Sequence, residues 1–251
     1  MRFIRQTYRF LAIVIFVVLG VILTLLVSPP GIKPPPRPLH SKLRQWWFKQ
    51  ATRIFGLRLI VKGKEQPRAA LWVANHISWL DIPVIGGAGN VGFLSKAEIR
   101  RWPVIGWLAE KSGTLFIDRG SKNASQNAAE KISERIISGH SVLIFPEATT
   151  TDGSDVKRFH PRLFAAALDH GLSVQPVSIR YLDKDGQRHS KAAFVDRETF
   201  IPNLLKIVGD PWITAEITLL PIIESQHFTK RNQLGDYAHD QIRKIIQDAR
   251  E

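Results

Sequence analysis

The chain has 251 residues, with 35 Lys and Arg against 22 Asp and Glu, a formal net charge of +13, seven Trp and no Cys. The missing cysteine rules out disulfides, thiolate metal sites and thiol nucleophiles, and 44% hydrophobic with 23% charged residues rules out global disorder. The charge sits at one end: residues 1–64 carry 12 basic side chains and no acidic one, and the rest carries 23 basic and 22 acidic. A basic anchor on a near-neutral domain is therefore expected, not a nucleic-acid-binding face.

Phe10 to Val27 (FLAIVIFVVLGVILTLLV) is uncharged over eighteen residues. As a helix it spans roughly 27 Å, close to the hydrocarbon thickness of a bilayer. A signal peptide is the alternative, because Arg2, Arg5 and Arg9 precede the run. The run is too long for that, and no small-residue cleavage site follows. Six prolines between positions 29 and 38 predict an extended linker. Residues 42–55 then interleave Trp46, Trp47, Phe48 and Phe55 with Lys42, Arg44, Lys49 and Arg53. That mixture predicts an amphipathic helix, lying either in the headgroup region or with its indoles packed on the domain. The division expected is a membrane anchor over 1–56 and a folded domain over 57–251.

From residue 57 onward short apolar runs alternate with helical stretches, the pattern of an α/β domain with a mostly parallel central sheet flanked by helices. Strands are predicted at Leu71–Asn75, Thr114–Ile117, Ser141–Phe145 and Val174–Ile179. Helices are predicted at Asn123–Ile137, stopped by Gly139, and at Lys230–Arg250. Each strand run is followed by polar groups: His76, then Asp118 and Arg119, then Pro146 and Glu147, then Arg180. Ligands bind outside the carboxyl ends of such strands, so these groups are expected to share one rim.

Within NHISWLD, His76 and Asp81 are five positions apart, about 140° on a straight helix, so they meet only if His76 lies in the turn before the helix. Ser78 or Asp81 would cap that helix and Pro83 is tolerated in its first turn. A carboxylate that holds one imidazole N–H fixes the tautomer and leaves the other nitrogen to take a proton. Taken alone, a capping Asp beside an unrelated His fits as well. Glu147 in FPEATTTDG projects at a strand end, followed by Thr149, Thr150 and Thr151. Arg119 in FIDRG reads as an anion ligand or as half of an ion pair with Asp118.

Together these segments resemble the glycerolipid acyltransferase family, whose four blocks appear in order as NHISWLD, FIDRG, FPEATTTDG and VQPVSI. FLSKAEIRRWPVIGWL, between the first two, is also similar, and the resemblance covers about residues 57–222. It implies a membrane-bound O-acyltransferase with the family's α/β fold. His76 would be the general base and Asp81 its orienting partner, and Asn75, Arg119, Glu147, Thr149 and Thr150 would bind substrate. Acyl-CoA or acyl carrier protein would donate the acyl chain to the hydroxyl of a lysolipid, without an enzyme nucleophile, metal or cofactor. The partners implied are membrane lipids, with the domain on the cytoplasmic side of the inner membrane and no nucleic acid.

The third block departs from the family pattern: Ala148, Thr149 and Thr150 stand where Gly, Thr and Arg are usual. Losing that Arg removes a bidentate phosphate ligand. Retention of Arg119 keeps 1-acyl-sn-glycerol-3-phosphate first as acceptor, with a lyso-ornithine lipid as the alternative and Lys157 or Arg158 as substitute cations. A rival of another class is a non-enzymatic membrane-tethered module that binds anionic lipid or nucleic acid. Gly87–Gly92 (GAGNVG) satisfies a dinucleotide-binding pattern, but in a helix-then-strand setting, the reverse of what that fold needs. No serine-hydrolase elbow or P-loop occurs. His160, His170, His189 and His227 lack ligand spacing.

Overall fold

The computed structural model describes residues 1–27, 38–118, 124–195 and 198–248. The expected proline linker falls almost wholly outside these residues, as does Arg119. The strands are β1 (Leu57–Lys62), β2 (Leu71–Ala74), β3 (Val91–Lys96), β4 (Leu115–Ile117), β5 (Ser141–Ile144), β6 (Ser173–Leu182), β7 (Ile213–Leu219) and β8 (Ile223–Glu224). They form one sheet in the order β1-β7-β6-β2-β5-β3-β4, with β8 on β6. All pairings are parallel except those of β6 with β7 and with β8. The helices are α1 (Arg2–Val27), α2 (Pro38–Phe55), α3 (Asp81–Ala88), α4 (Ile105–Lys111), α5 (Ala124–Ile137), α6 (Ala165–Leu168), α7 (Phe200–Gly209) and α8 (Arg231–Asp248).

β2 shows why an uninterrupted apolar run makes a central strand. Successive side chains leave opposite faces of a sheet. Leu71 and Val73 accordingly enter the core beneath α5 and α8, and Trp72 and Ala74 enter the core on the opposite face, which also holds Val84 and Ile85 of α3. All four are buried. In β6, Pro176 lacks an N–H yet sits in mid-sheet. It occupies the break between two partners, because β7 ends its pairing at Val177 and β8 begins at Val174. Its carbonyl still accepts the N–H of Leu220 at 3.0 Å.

β6 runs three residues beyond the expected strand, which moves Arg180 off the rim. Arg180 instead pairs with Glu216 of β7 at 3.1 Å, and Lys62 of β1 reaches the same carboxylate at 2.7 Å. GAGNVG runs from the end of α3 into β3, and a Cβ at its Gly89 would strike the Trp72 ring. Just before it, a Cβ at Gly86 would strike the ring of Phe48, and one at Gly87 would crowd the Lys49 backbone at 3.3 Å, so α2 lies tightly on α3.

The two N-terminal helices have opposite polarity. α2 turns Phe48, Ala51, Thr52 and Phe55 toward the domain and leaves Lys42, Trp46, Lys49 and Arg53 exposed along one stripe. α1 is long and apolar enough to cross a membrane, with only 6% of its apolar window buried. Its outer face is Leu11, Ile15, Val18, Leu19, Ile22 and Leu26, all exposed. Its inner face carries arginines. Arg9 is 5% exposed and donates to the carbonyls of Val208, Asp210 and Pro211 at 3.2, 2.6 and 2.9 Å. Arg5 donates to Gly209 at 3.1 Å, and Gln6 to Leu205 at 2.8 Å. These carbonyls close the C-terminal end of α7, where unsatisfied oxygens and the helix dipole favour cations. Farther along, Phe16 stacks on Trp47 with ring centroids 3.9 Å apart, and Gly20 makes room for that indole. Arg9 is therefore an internal pin, not a free surface charge.

Candidate active site

β2 ends at Ala74, between β5 and β6, and the chain turns into α3 at Asp81. The five-residue offset closes here because His76 lies in the turn. His76 Nδ1 is 2.7 Å from Asp81 Oδ2. The same oxygen accepts the backbone N–H of Ile77 at 2.8 Å and of Ser78 at 3.0 Å. The other oxygen accepts the hydroxyl of Tyr181 at 2.7 Å. Asp81 thus does not cap α3 as expected: its carboxylate turns back over the residues before it, and no side chain caps the helix. Asp81 is fully buried, and burial together with the Asp81 charge holds the Tyr181 phenol well above its ordinary range.

The third block wraps the same histidine. Phe145, just past β5, stacks its ring on the imidazole at a centroid distance of 3.9 Å and an interplanar angle of 13°. Glu147 is 3% exposed and spends both carboxyl oxygens on backbone: one accepts the His76 N–H at 2.6 Å, the other the Lys157 N–H at 2.7 Å. Burial pushes its carboxyl up to about 7, with the two N–H bonds pulling the other way. Thr151 donates its backbone N–H to the His76 carbonyl at 2.8 Å. His76 is thereby held at its N–H, its carbonyl, its ring face and Nδ1. Its Nε2 has no partner among the described residues, and its side chain is 21% exposed. An imidazole in this state can take a proton from a group that approaches the open nitrogen.

The remaining expected residues fall into place unevenly. Asn75 is 1% exposed, and both ends of its amide are engaged with Ile179, the Oδ1 accepting that residue's N–H at 2.8 Å and the Nδ2 donating to its carbonyl at 3.0 Å. The amide extends the β2–β6 ladder by one step and leaves neither end for a ligand. Thr150, where the resemblance would put Arg, gives its hydroxyl to the Phe194 carbonyl, and Thr149 is exposed. Ala148, at the usual Gly position, has φ 58°, in the left-handed region that favours glycine. Arg119 lies outside the described residues. Asp118 stands at the end of β4, two strands from β5, beside an open cavity of about 110 Å³ lined also by Ile117, Asn127 and Lys131. Tyr181 and Phe145 were not expected in the site. Tyr181 lies two residues past VQPVSI, and strand parity puts it on the same face as Ile179.

The acyltransferase family model matches residues 58–180. A lyso-ornithine lipid O-acyltransferase of Pseudomonas aeruginosa is 40% identical over 209 residues, 83% of this chain and 80% of that protein. A second, from Rhodobacter capsulatus, is 35% identical across 79% of this chain and 76% of its own length. A 1-acyl-sn-glycerol-3-phosphate acyltransferase of Neisseria gonorrhoeae is 31% identical across 77% and 75%. Among solved structures, the 1-acyl-sn-glycerophosphate acyltransferase PlsC of Thermotoga maritima shares the fold with a TM-score of 0.72 at 20% identity, over 100% of this chain and 98% of that one. The chain belongs to the glycerolipid acyltransferase family and is an acyltransferase.

Proposed function

We propose that the protein transfers a fatty acyl chain from a thioester donor, acyl-CoA or acyl carrier protein, to the free hydroxyl of a lysolipid at a membrane surface. The observation that carries this reading is the open Nε2 of His76, whose Nδ1 is tied to a buried, four-fold hydrogen-bonded carboxylate. The acceptor hydroxyl gives its proton to Nε2 while its oxygen adds to the thioester carbonyl. The tetrahedral oxyanion then collapses, the C–S bond breaks, and the leaving thiolate takes the proton back from His76. The backbone N–H groups of Thr149 and Thr150 meet no acceptor among the described residues, in a turn whose next N–H already reaches His76. As free N–H groups of the block that wraps His76, they can donate to the oxyanion. Glu147 and Asn75 act as positioning residues for the His76 turn. Soluble thioester donors put the domain on the cytoplasmic face.

For the acceptor, the third block favours a lyso-ornithine lipid: Thr150 turns inward to a carbonyl where a phosphate-binding Arg would stand. The two relatives at 40% and 35% identity with that printed activity support the same reading. 1-Acyl-sn-glycerol-3-phosphate remains the second reading, favoured by Arg119 in FIDRG and by the Neisseria relative. Thiol release from an acyl-CoA should be measured with both acceptors, for wild type and His76→Ala. Turnover faster with lyso-ornithine lipid is expected, falling to background in the variant. Turnover with the phosphate acceptor alone would reverse the order of acceptors, and an active variant would reject His76 as base.

A further inference from the structure

The segment between β3 and α4 carries a run of exposed side chains. Arg100 to Ile105 are six consecutive exposed residues, and three of them are large and apolar: Trp102, Val104 and Ile105, each 45–46% exposed. The turn that presents them is strained. Val104 has φ 61° and ψ −57°, and the Ile105 N–H reaches back to the Pro103 carbonyl at 2.6 Å. This is a γ-turn with positive φ, a rare conformation that is a true outlier for a β-branched side chain. It is nevertheless tightly built. The Gly106 N–H bonds the Trp102 carbonyl at 3.0 Å, and a Cβ at Gly106 would strike the backbone of Ile99 and Arg100. Strain fixed by close packing that pushes apolar side chains into the open calls for something outside the chain to receive them.

α4, which this turn opens, packs against α1. The turn therefore opens a helix that touches the anchor helix, whose outer apolar face is exposed as the turn is. Arg100 and Arg101 precede the apolar tip, Arg100 paired with Glu110, and the stretch from Lys96 to Lys111 holds five basic residues against Glu98 and Glu110. Arg and Trp beside aliphatic side chains suit the boundary between acyl chains and anionic headgroups. We propose that Trp102, Val104 and Ile105 form a wedge that enters the same anionic bilayer surface as α1, a second point of membrane insertion borne by the catalytic domain itself. The proposal rests on α1 being membrane-bound. Two points of insertion would fix the tilt of the domain, so that the rim bearing His76 faces the lipid surface in one orientation.

The absence of native cysteine makes the test clean, since a thiol-reactive, polarity-sensitive fluorophore goes only where a cysteine is introduced. The full-length chain carries Val104→Cys, Ile15→Cys on the outer face of α1, or Gln247→Cys on α8 as control. Each is mixed with vesicles of phosphatidylglycerol and phosphatidylcholine, 1:1, or of phosphatidylcholine alone, with bromine on the acyl chains as quencher. The labels at 104 and 15 should both shift to the blue and be quenched, more so on the anionic vesicles, with 247 unaffected. A label at 15 embedded while 104 stays aqueous overturns the wedge and leaves the anchor standing; both aqueous rejects the anchor as well. Burial of 104 that grows with protein concentration without lipid means a second copy covers the turn, which also overturns the proposal. In turnover, Trp102→Ser with Val104→Asp should raise the apparent KM for acceptor in vesicles on the order of tenfold. The rate with acceptor dispersed as monomer should stay unchanged, and a drop there would assign the turn a structural role instead.

Discussion

Asp81 and Arg9 are both buried charges, and the contrast between them separates chemistry from architecture. Asp81 accepts four hydrogen bonds, one from an imidazole. Arg9 donates three, all to backbone carbonyls around the end of α7. Either charge would be costly to bury without these partners. What differs is the partner. Asp81 holds a side chain that can gain and lose a proton, whereas Arg9 donates only to main-chain carbonyls. By that reasoning Asp81 governs rate and Arg9 governs docking.

The sharpest way to break the comparison is Asp81→Asn. The amide keeps the shape and can still meet Tyr181, but it removes the charge beside His76. A loss of about 10³- to 10⁴-fold in kcat is expected, with the fold retained, read by thiol release and by circular dichroism. A similar loss from Arg9→Ala, per folded molecule, would dissolve the distinction.

Glu147 sits between the two cases, because it titrates but touches only backbone. Its carboxyl is raised from an ordinary value of 4.5 to about 7 by burial, so the folded state favours the protonated form. Its contribution is then fully present below 4.5 and lost as pH rises through about 7, so wild type should lose about 2 kcal/mol between pH 5.5 and 8 from this group. Glu147→Gln should flatten that dependence in urea unfolding at the two pH values. An unchanged slope would move the titration elsewhere.

Arg9→Ala should lower stability by about 2 kcal/mol, the usual worth of hydrogen bonds from a charged donor, with little effect on turnover. Gly56→Ala provides an independent check on the same seam. Gly56 has φ 82°, and its Cβ would collide with the Arg9 guanidinium. The smallest effect is expected from Tyr181→Phe, about threefold to tenfold in kcat, because one of the four bonds to Asp81 is lost and the other three still orient it. A change in KM alone would place Tyr181 outside the His76–Asp81 system.

The comparison also explains what the sequence made legible. His76, Asp81 and Glu147 could be found because turns between strand and helix carry short, ordered blocks, and their meeting follows from β2, β5 and β6 being neighbours. In the sequence Arg9 is one of three arginines that precede the apolar run. Only the packing of α1 on α7, nearly 200 residues later in the chain, makes it internal. Tyr181 gave no signal, since an aromatic in a strand ordinarily means core. β1 and β7 were not anticipated, because Arg58 and Lys62 in one and Thr214, Glu216 and Thr218 in the other interrupt the apolar runs that marked β2 and β5. Glu147 was anticipated at the rim but as a substrate contact. That both its oxygens serve backbone N–H groups is a tertiary fact that no spacing carries.

β6 brings one more consequence. Ile179 engages Asn75, and Tyr181, two residues on, engages Asp81. Strand and active-site turn are therefore coupled like a key with two teeth cut at a fixed spacing. Were β6 to pair with β2 one residue out of step, the Ile179 backbone groups would no longer meet Asn75 and the Tyr181 side chain would swing to the opposite face, so the His76 turn would lose its hold at both ends. Misassembled molecules should thus be silent rather than sluggish, so that during refolding the yield of catalytic turnover counts the chains whose sheet has assembled in the correct alignment.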